Sequence, residues 1–479
     1  MPTAIACTTC CLCITGPGTV RCGRWMRSTF ERTPRCANRN SGTEAPDSMR
    51  QRKCIVVAPY FPPSSLAGVH RPRHLAKHLP EYGWIPTILA VDPAHYIESN
   101  DDALAAMVPS SVDVRRVGAL PASLTGLAGT REISLRSWLG LRRALDELLG
   151  TGDYAAVLIT GSPYFPMLFS KRIERRYGVP VVLDFQDPWV SDWGAKQPLV
   201  SKAGVSHWLA ERLEPRAARH CSWVTSVSEV QNRQMAERHP WFDASRMSAI
   251  PIGCDPADFE YLRDADGSRA GQWLDSDRMN LSYVGTFLPE AAPLVRTLFV
   301  ALAGLRAEAP ALVDRLRLNF IGTSNQPGIT DRYGIAPLAR EAGVADLVAE
   351  TPERIPYLDA LGVLANSDGI LMVGSTEPHY TASKIYPGLM SGRPFLSLFH
   401  ESSSAHAILS AAGGGVSLSF QNENELHGLE SAISESLAIL FRQPQGLGRA
   451  DPAIYAPYTA SAVAGEFAAI FDRLVEDSH

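Results

Sequence analysis

Short apolar runs alternate with stretches of helical periodicity along most of this chain. The runs Cys54–Ala58, Ile85–Val91, Ala155–Thr160 and Val179–Phe185 have the length and composition of buried parallel strands. Each run ends in a loop rich in Gly, Pro, Ser or Asp, and a helix-like stretch precedes the next run. This strand–loop–helix order predicts a doubly wound α/β domain.

A second series of the same kind starts at Asn280–Val284 and continues through Leu316–Ile321, Gly369–Val373 and Phe395–Phe399. Between the two series, Tyr261–Arg278 is polar and rich in Gly, Asp and Arg, which favours a linker. We therefore predict two doubly wound α/β domains of similar size. The predicted divisions are a first domain at 49–262, a linker at 263–278, a second domain at 279–441 and a C-terminal helix segment at 442–479.

The stretch Tyr380–Leu396 (YTASKIYPGLMSGRPFL) has the strongest candidate chemistry in the second domain. Apolar residues recur at helical spacing from Ile385, and Gly392 and Pro394 are typical of a helix end. The first turn of such a helix has free N–H groups and a partial positive charge, and Lys384 adds a full charge. The pattern fits a cradle for the diphosphate of a nucleotide. An ordinary helix after a Ser/Thr cap is the open alternative.

Ligands of doubly wound domains bind beyond the carboxyl ends of the strands. In the first domain this rule places Gly68 and Arg71 at the ligand edge, together with the loop QDPWVSDW that contains Asp187 and Trp189. Gly68 would let the backbone approach a ligand, or it is a plain turn glycine. Carboxylates there could accept hydrogen bonds from hydroxyl groups, and indole rings suit the faces of sugars. The alternative is an Asp-Pro turn with a Trp that plugs the core.

The segment Arg131–Gly150 is amphipathic, with leucines and Trp138 on one face and several arginines beside them. A membrane-surface helix is one interpretation. Arg142–Asp146 and Arg143–Glu147 are spaced for i,i+4 ion pairs, which favours an ordinary surface helix. We expect weak membrane binding at best.

Composition limits the class of protein. The 479 residues are 45% hydrophobic and 20% charged with a formal net charge of −5, which is ordinary for a globular protein and does not suggest a nucleic-acid partner. No apolar run approaches the roughly 20 residues that span a bilayer. We expect a cytoplasmic protein, with peripheral contact at the inner face of the membrane as the alternative.

Six of the nine cysteines lie between Cys7 and Cys36. The cluster could bind zinc or anchor a lipid, but no His precedes His70 and no second Cys-x2-Cys pair completes a zinc module. The segment lacks the order of a signal peptide. We expect residues 1–48 to be disordered or non-native, with a true start at Met49. The three later cysteines suggest a reducing compartment.

From Met49 onward the chain resembles the GT-B glycosyltransferases, specifically the retaining family four (group 1). The resemblance rests on YFPPSSLAGVHRPRHLAKHL, VVLDFQDPW, VTSVSEVQNRQM, IPIGCD, YVGTF and SKIYPGLMSGRPFL, in that order. It implies two Rossmann-like domains facing each other across a cleft, with a nucleotide-sugar donor in the second domain and an acceptor in the first. It also implies a last helix that crosses back to the first domain. It also implies transfer with retention in bacterial polysaccharide or glycolipid biosynthesis, with no protein-bound metal and no cofactor besides the nucleotide-sugar co-substrate.

The resemblance assigns roles to individual residues, and the chain departs from the family pattern at several of them. The implied donor contacts are Lys384, Ser383, His379, Gly285 and Thr286; the implied catalytic residue is Asp187; and the residues that face the sugar or acceptor are Gly68, Arg71 and Trp189. The family's Glu-x7-Glu pair is replaced by His379 and Pro387, and the usual Arg and Lys are missing from GTFLPEAAPL. In the first domain, Gln186 occupies the position before Asp187 at which the family usually has a His. Lys384 is thus the one obvious phosphate-binding cation.

These residues leave more than one function open. The leading interpretation is a glycosyltransferase acting on a lipid-linked or saccharide acceptor. The alternatives are a degenerate GT-B binding or scaffold protein and a nucleotide-sugar epimerase of the same fold. Turnover would separate the scaffold from the transferase, and the identity of the product would separate the epimerase.

Overall fold

A computed structural model describes residues 51–127, 130–264, 270–324, 331–377 and 383–477. The predicted extension at 1–48 and the predicted donor contact His379 lie outside these ranges. The described residues form two parallel sheets with flanking helices, which confirms the predicted fold class.

The first sheet has seven parallel strands in the order β3-β2-β1-β4-β5-β6-β7. The strands are β1 (Arg52–Val57), β2 (Trp84–Val91), β3 (Asp113–Val117), β4 (Tyr154–Gly161), β5 (Val181–Phe185), β6 (Trp223–Ser226) and β7 (Met247–Ala249). The apolar runs correctly predicted the central strands. They missed β3 (DVRRV), because this edge strand has no fully buried residue and therefore no apolar run.

The second sheet has six parallel strands in the order β10-β9-β8-β11-β12-β13. They are β8 (Met279–Val284), β9 (Leu316–Ile321), β10 (Val348–Thr351), β11 (Gly369–Val373), β12 (Phe395–His400) and β13 (Gly415–Phe420). The predicted bounds of β9 and β11 agree with the structure to the residue. Both strands are almost entirely buried, and apolar residues make up most of each strand.

Helices cover both sheets. Those that follow the first seven strands are α1 (His70–His78), α2 (Asp102–Ala106), α3 (Ala122–Leu127), α4 (Ile133–Arg136), α5 (Trp138–Leu149), α6 (Ser170–Tyr177), α7 (Asp192–Ala195), α8 (Lys202–Ala218), α9 (Glu229–Arg238) and α10 (Pro256–Asp264). The remaining helices are α11 (Ala292–Glu308), α12 (Pro310–Val313), α13 (Ala336–Glu341), α14 (Tyr357–Asn366), α15 (Ile385–Met390), α16 (Ser404–Ala412), α17 (Glu430–Arg442), α18 (Pro452–Tyr455) and α19 (Ala460–Glu476). Helix α10 extends into the start of the predicted linker.

The amphipathic segment 131–150 forms two helices, α4 and α5, that meet at Ser137. The predicted pair between Arg142 and Asp146 is wrong. Asp146 instead accepts from Nε and Nη2 of Arg172 at 2.7 and 2.8 Å and from the hydroxyl of Tyr177 at 2.9 Å. Tertiary packing of α6 against α5 therefore decided the partner of this carboxylate, which spacing along one helix could not show.

The last helix, α19, returns to the first sheet as predicted. Its Phe467 and Phe471 lie in the same buried cluster as Trp84 of β2, and the rings of Trp84 and Phe471 are 5.1 Å apart. At the crossing, the N–H of Cys254 donates to the carbonyl of Tyr458 at 3.1 Å. Gly253 lies beside this crossing with φ 72°, and a Cβ there would be 2.4 Å from the same carbonyl. Only glycine fits this position.

Candidate active site

The carboxyl ends of strands from both sheets border one cavity of about 250 Å³. Loops that follow β1 and β2 and the start of α1 form one wall. Loops that follow β8, β9, β10 and β11 form the other. The lining residues used below are Ser65, His70, Asp101, Gly285, Thr286, Arg354, Tyr357, Ser383, Lys384 and Pro387. This is the edge at which parallel α/β sheets bind ligands.

Four of the nine predicted site residues line this cavity: Gly285, Thr286, Ser383 and Lys384. Gly285 directly follows β8 and has φ 134°, a backbone conformation that residues other than glycine rarely adopt. A Cβ at this position would contact Cδ of Lys384 at 3.5 Å. The structure thus brings these donor-site candidates together, and their roles stay predictions.

Lys384 occupies the position before the first residue of α15, as the helical spacing predicted. Its Nζ donates to the hydroxyl of Tyr283 and lies 3.9 Å from the centroid of that ring. The Tyr283 hydroxyl in turn donates to the carbonyl of Thr286 at 2.7 Å. Desolvation of the ammonium lowers the pKa of Lys384 from 10.5 to about 7. A buried anion beside Nζ would reverse this effect.

Helix α15 ends as the sequence predicted. Gly392 has φ 69° after the last helical turn, and the N–H of Gly392 donates to the carbonyl of Leu389 at 3.2 Å. Pro387, which replaces the second Glu of the family pattern, lines the cavity. A proline has no carboxylate to accept a hydrogen bond, so this position lacks the ribose contact that the resemblance to the family implies.

The first-domain wall contains His70 and Asp101, which sequence analysis did not single out. The His70 ring lies 4.5 Å from the ring of Tyr357 in the second domain. Burial and the nearby charges of Arg73 and Arg354 lower the pKa of His70 to about 3, so its imidazole is neutral near pH 7. Asp101 is 7% exposed; its two oxygens accept from the N–H groups of Leu104 at 3.1 Å and Tyr357 at 2.9 Å.

Arg354 corrects the prediction that Lys384 is the one cation of the donor loops. It lies three residues after β10 and lines the cavity with Lys384. Its Nη1 donates to the carbonyl of Ser65 in the first domain at 2.7 Å, and desolvation lowers its pKa. The rule that placed Gly68 at the ligand edge of the first domain applies equally to Arg354, which follows a strand of the second domain, and would have indicated it.

Arg71 does not face the cavity, contrary to its prediction. Its side chain is fully buried, with Nε 3.2 Å from Oδ2 of Asp184 on β5. Its Nη2 and Nη1 donate to the carbonyls of Ile250 at 2.6 Å and Pro251 at 3.3 Å. Arg71 therefore joins α1 to the ends of β5 and β7 from inside the domain. The sequence did not indicate that Arg71 points into the domain, because Asp184 and Ile250, which it contacts, lie far away along the chain.

Asp187 and Trp189 lie in the loop after β5, outside the lining of this cavity. Asp187 is exposed, and desolvation by surrounding protein raises its pKa. The Trp189 indole is stacked on Tyr164 at 5.3 Å with an interplanar angle of 11°, and the Tyr164 hydroxyl donates to the carbonyl of Asp187 at 2.9 Å. One face of the indole is thus covered by protein, as in the alternative of a Trp plug.

Gly68 also lies beside the cavity and not in its lining. Its carbonyl accepts from Nε2 of Gln186 at 3.1 Å, and the same Nε2 donates to the hydroxyl of Thr160 at 2.6 Å. Gln186 thus ties the loop before α1 to the ends of β4 and β5.

Among the residues that the structure describes, no three His, Cys, Asp or Glu side chains come together in a way that could hold a metal ion.

Comparison with known proteins adds three findings. Residues 68–253 match the model of the glycosyl transferase 4-like domain. A stretch of 106 residues is 35% identical to a D-inositol 3-phosphate glycosyltransferase of Stackebrandtia nassauensis, and it covers 22% of this chain and 23% of that protein. The match thus spans about a quarter of the relative's length.

Solved structures resemble most of the chain. HepE of Anabaena, solved in complex with UDP and glucose, has a TM-score of 0.53 at 12% identity and covers 88% of this chain and 100% of its own. WaaG, a glycosyltransferase involved in lipopolysaccharide biosynthesis, has a TM-score of 0.53 at 12% identity and covers 87% and 99%. A UDP-forming trehalose-phosphate synthase of Burkholderia vietnamiensis has a TM-score of 0.55 at 14% identity and covers 89% and 100%. At these identities the likeness concerns the fold.

Proposed function

We propose that this protein transfers a sugar from a nucleotide-diphosphate donor to a hydroxylated acceptor. The chain has the GT-B fold, and residues 68–253 match the glycosyl transferase 4-like domain. The observation that carries this proposal is the charge of the cavity. Lys384 and Arg354 line it, and Asp101, the one carboxylate among its described lining residues, already accepts from two backbone N–H groups. A diphosphate would balance the two cations.

In this reaction the bond between the anomeric carbon and the diphosphate oxygen breaks, the acceptor oxygen bonds to that carbon, and the proton of the acceptor hydroxyl passes to the departing diphosphate. Lys384 would stabilise the negative charge that develops on the departing diphosphate. Neutral His70 and the loop of Asp187 would contact the sugar or the acceptor and hold them in position. Retention at the anomeric carbon is part of the proposal, and the acceptor is a saccharide or a lipid-linked saccharide.

The match of residues 68–253 to a glycosyltransferase domain favours transfer over the epimerase alternative. UDP is the first nucleotide to test, since HepE was solved with UDP and glucose. A thermal-shift panel of UDP-, GDP-, ADP- and dTDP-sugars identifies the donor, because a ligand of the native state raises the melting temperature. Turnover of that donor with candidate acceptors then tests transfer. If no donor raised the melting temperature, the proposal would be contradicted. Donor binding without turnover would indicate a degenerate binding or scaffold protein.

We expect donor binding to weaken as the pH rises above 7. Free Lys384 has a pKa of about 7, and a bound diphosphate raises that pKa, so above pH 7 binding requires the uptake of a proton. The phosphates of an intact nucleotide sugar do not titrate in this range, and neither does His70 with its pKa of about 3. Affinity measured by calorimetry should fall on the order of 10-fold between pH 6.5 and 8.5.

Lys384→Arg is the control for this pH profile, because its guanidinium stays protonated throughout. The variant should bind with an affinity that does not change between pH 6.5 and 8.5. A wild-type affinity that is equally flat would show that the charge of Lys384 does not contribute to donor binding.

We also propose a weak peripheral contact between the first domain and an anionic membrane surface. An apolar groove of about 680 Å³ lies between α5 and the segment after β4, and Leu120 and Leu139 in its lining are 57% and 60% exposed. Leu168 borders both this groove and a basic patch on α6 that contains Lys171, Arg172, Arg175 and Arg176. Apolar side chains beside arginines suit a bilayer with anionic headgroups. No helix in the described ranges is long and apolar enough to cross a membrane.

Leu139→Glu should reduce cosedimentation with phosphatidylglycerol vesicles at low ionic strength, since it places a carboxylate in the apolar contact. Wild-type binding should decrease as salt is added. The matched control is Ile439→Glu on α17 of the second domain, where the isoleucine is 47% exposed. Equal binding of the two variants, or no wild-type binding at low salt, would contradict the membrane proposal.

A further inference from the structure

The proposed donor cavity has two cations on its second-domain wall, and only one of them was expected. The family that the chain resembles has basic residues directly after the first strand of the second domain, and here that segment, GTFLPEAAPL, contains neither Arg nor Lys. Arg354 instead comes from the exit of β10, two strand positions away in the order β10-β9-β8. Both exits face the same cavity.

The guanidinium of Arg354 has no carboxylate within ion-pair distance among the residues that the structure describes. Its contact is with a neutral acceptor, the carbonyl of Ser65, at 2.7 Å. That bond occupies one of the five N–H donors of a guanidinium and fixes its direction. Asp101 lines the same cavity, but its two oxygens accept from the N–H groups of Leu104 and Tyr357, and it forms no ion pair with Arg354. The positive charge is therefore available to an anion in the cavity.

We propose that Arg354 is a second anion-binding residue of this site and that it replaces, from a different strand, the basic residues missing after β8. The inference rests on the proposed function for the identity of the anion, which is the diphosphate of the donor. A guanidinium binds phosphate oxygens with two parallel hydrogen bonds, and Lys384 adds a point charge. The carbonyl of Ser65 holds Arg354 in place from the first domain.

The test is calorimetric titration of Arg354→Gln with inorganic pyrophosphate, UDP and uridine. Gln keeps a hydrogen-bond donor for Ser65 and removes the charge. We expect the affinities for pyrophosphate and UDP to fall about 5- to 20-fold and the affinity for uridine to stay the same. The expected loss is that of a charge-assisted hydrogen bond, reduced because the guanidinium is partly exposed to solvent. The decrease of UDP affinity with added salt should also become shallower.

Arg340→Gln is the matched control, because Arg340 is an exposed arginine of the second domain that donates to a backbone carbonyl, that of Ala336. It should bind all three probes like the wild type, and both variants should melt like the wild type. Arg354→Lys should recover part of the lost pyrophosphate affinity.

Three outcomes would overturn the inference. Equal losses for UDP and uridine would mean that Arg354 contacts the base. Unchanged binding of pyrophosphate and UDP would mean that Arg354 only holds Ser65, while the proposed function would stand. Absence of pyrophosphate binding to the wild type would leave no anion site. Conversely, pyrophosphate binding that depends on Arg354, without binding of any nucleotide sugar, would support the anion site and contradict the proposed function.

Discussion

Lys384→Met should weaken nucleotide-sugar binding by roughly 10- to 150-fold at pH 6.5, where the lysine is mostly protonated. The physical reason is the position of Nζ, which is desolvated against Tyr283 at the edge of the proposed diphosphate site. A charge-assisted hydrogen bond in such surroundings contributes on the order of 1.5–3 kcal/mol. Calorimetric titration with the best donor of the panel measures the loss.

The fold should survive this change. Desolvation disfavours the charged form of Lys384 in the folded protein, so an apolar side chain of similar length should leave the melting temperature unchanged or raise it. Between pH 7 and 10.5 the unfolded chain binds more protons at this residue than the folded chain, and its contribution to wild-type stability therefore rises with pH. The variant lacks that contribution. Unchanged donor affinity in a folded Lys384→Met protein would place the diphosphate elsewhere.

Arg71→Met should lower the free energy of unfolding by about 3–5 kcal/mol, because it leaves the buried carboxylate of Asp184 without its cation. Both side chains are fully buried, and Arg71 also donates to Ile250 and Pro251 and lies 5.2 Å from the ring of Phe467. Burial already raises the pKa of Asp184 although Arg71 opposes the shift, so loss of Arg71 should raise that pKa further. Urea unfolding followed by tryptophan fluorescence measures the change.

Arg71→Met/Asp184→Leu is the informative second variant. Removal of both charges should recover much of the lost stability, since an apolar pair of suitable volume can replace a buried ion pair. Arg340→Met, on an exposed face of α13, should change the free energy of unfolding by less than about 0.5 kcal/mol. If Arg71→Met kept its stability and instead lost donor or acceptor affinity, the predicted sugar-facing role of Arg71 would be restored.

Sequence patterns determined those features whose causes lie within one short stretch of chain. The buried strands β9 and β11 have the predicted bounds, because the sequence signals for each strand lie within its own segment. The same rules placed Lys384 at a helix start and Gly285 at a strand exit. Parallel strands bring their carboxyl ends to one edge, so these residues were expected to meet, and they do.

Only the tertiary structure decided which side chains face the cavity and what charge they carry. Arg354 reaches Ser65, which is 289 positions away in the sequence, and Arg71 turns inward to Asp184. The edge strand β3 pairs with β2 without an apolar run of its own. The pKa of Lys384 depends on the burial of its ammonium group in the folded protein. A hydrophobic pattern indicates only which face of a segment is buried. The ion pairs, the exposure and the direction of an individual side chain depend on residues that approach from distant parts of the chain.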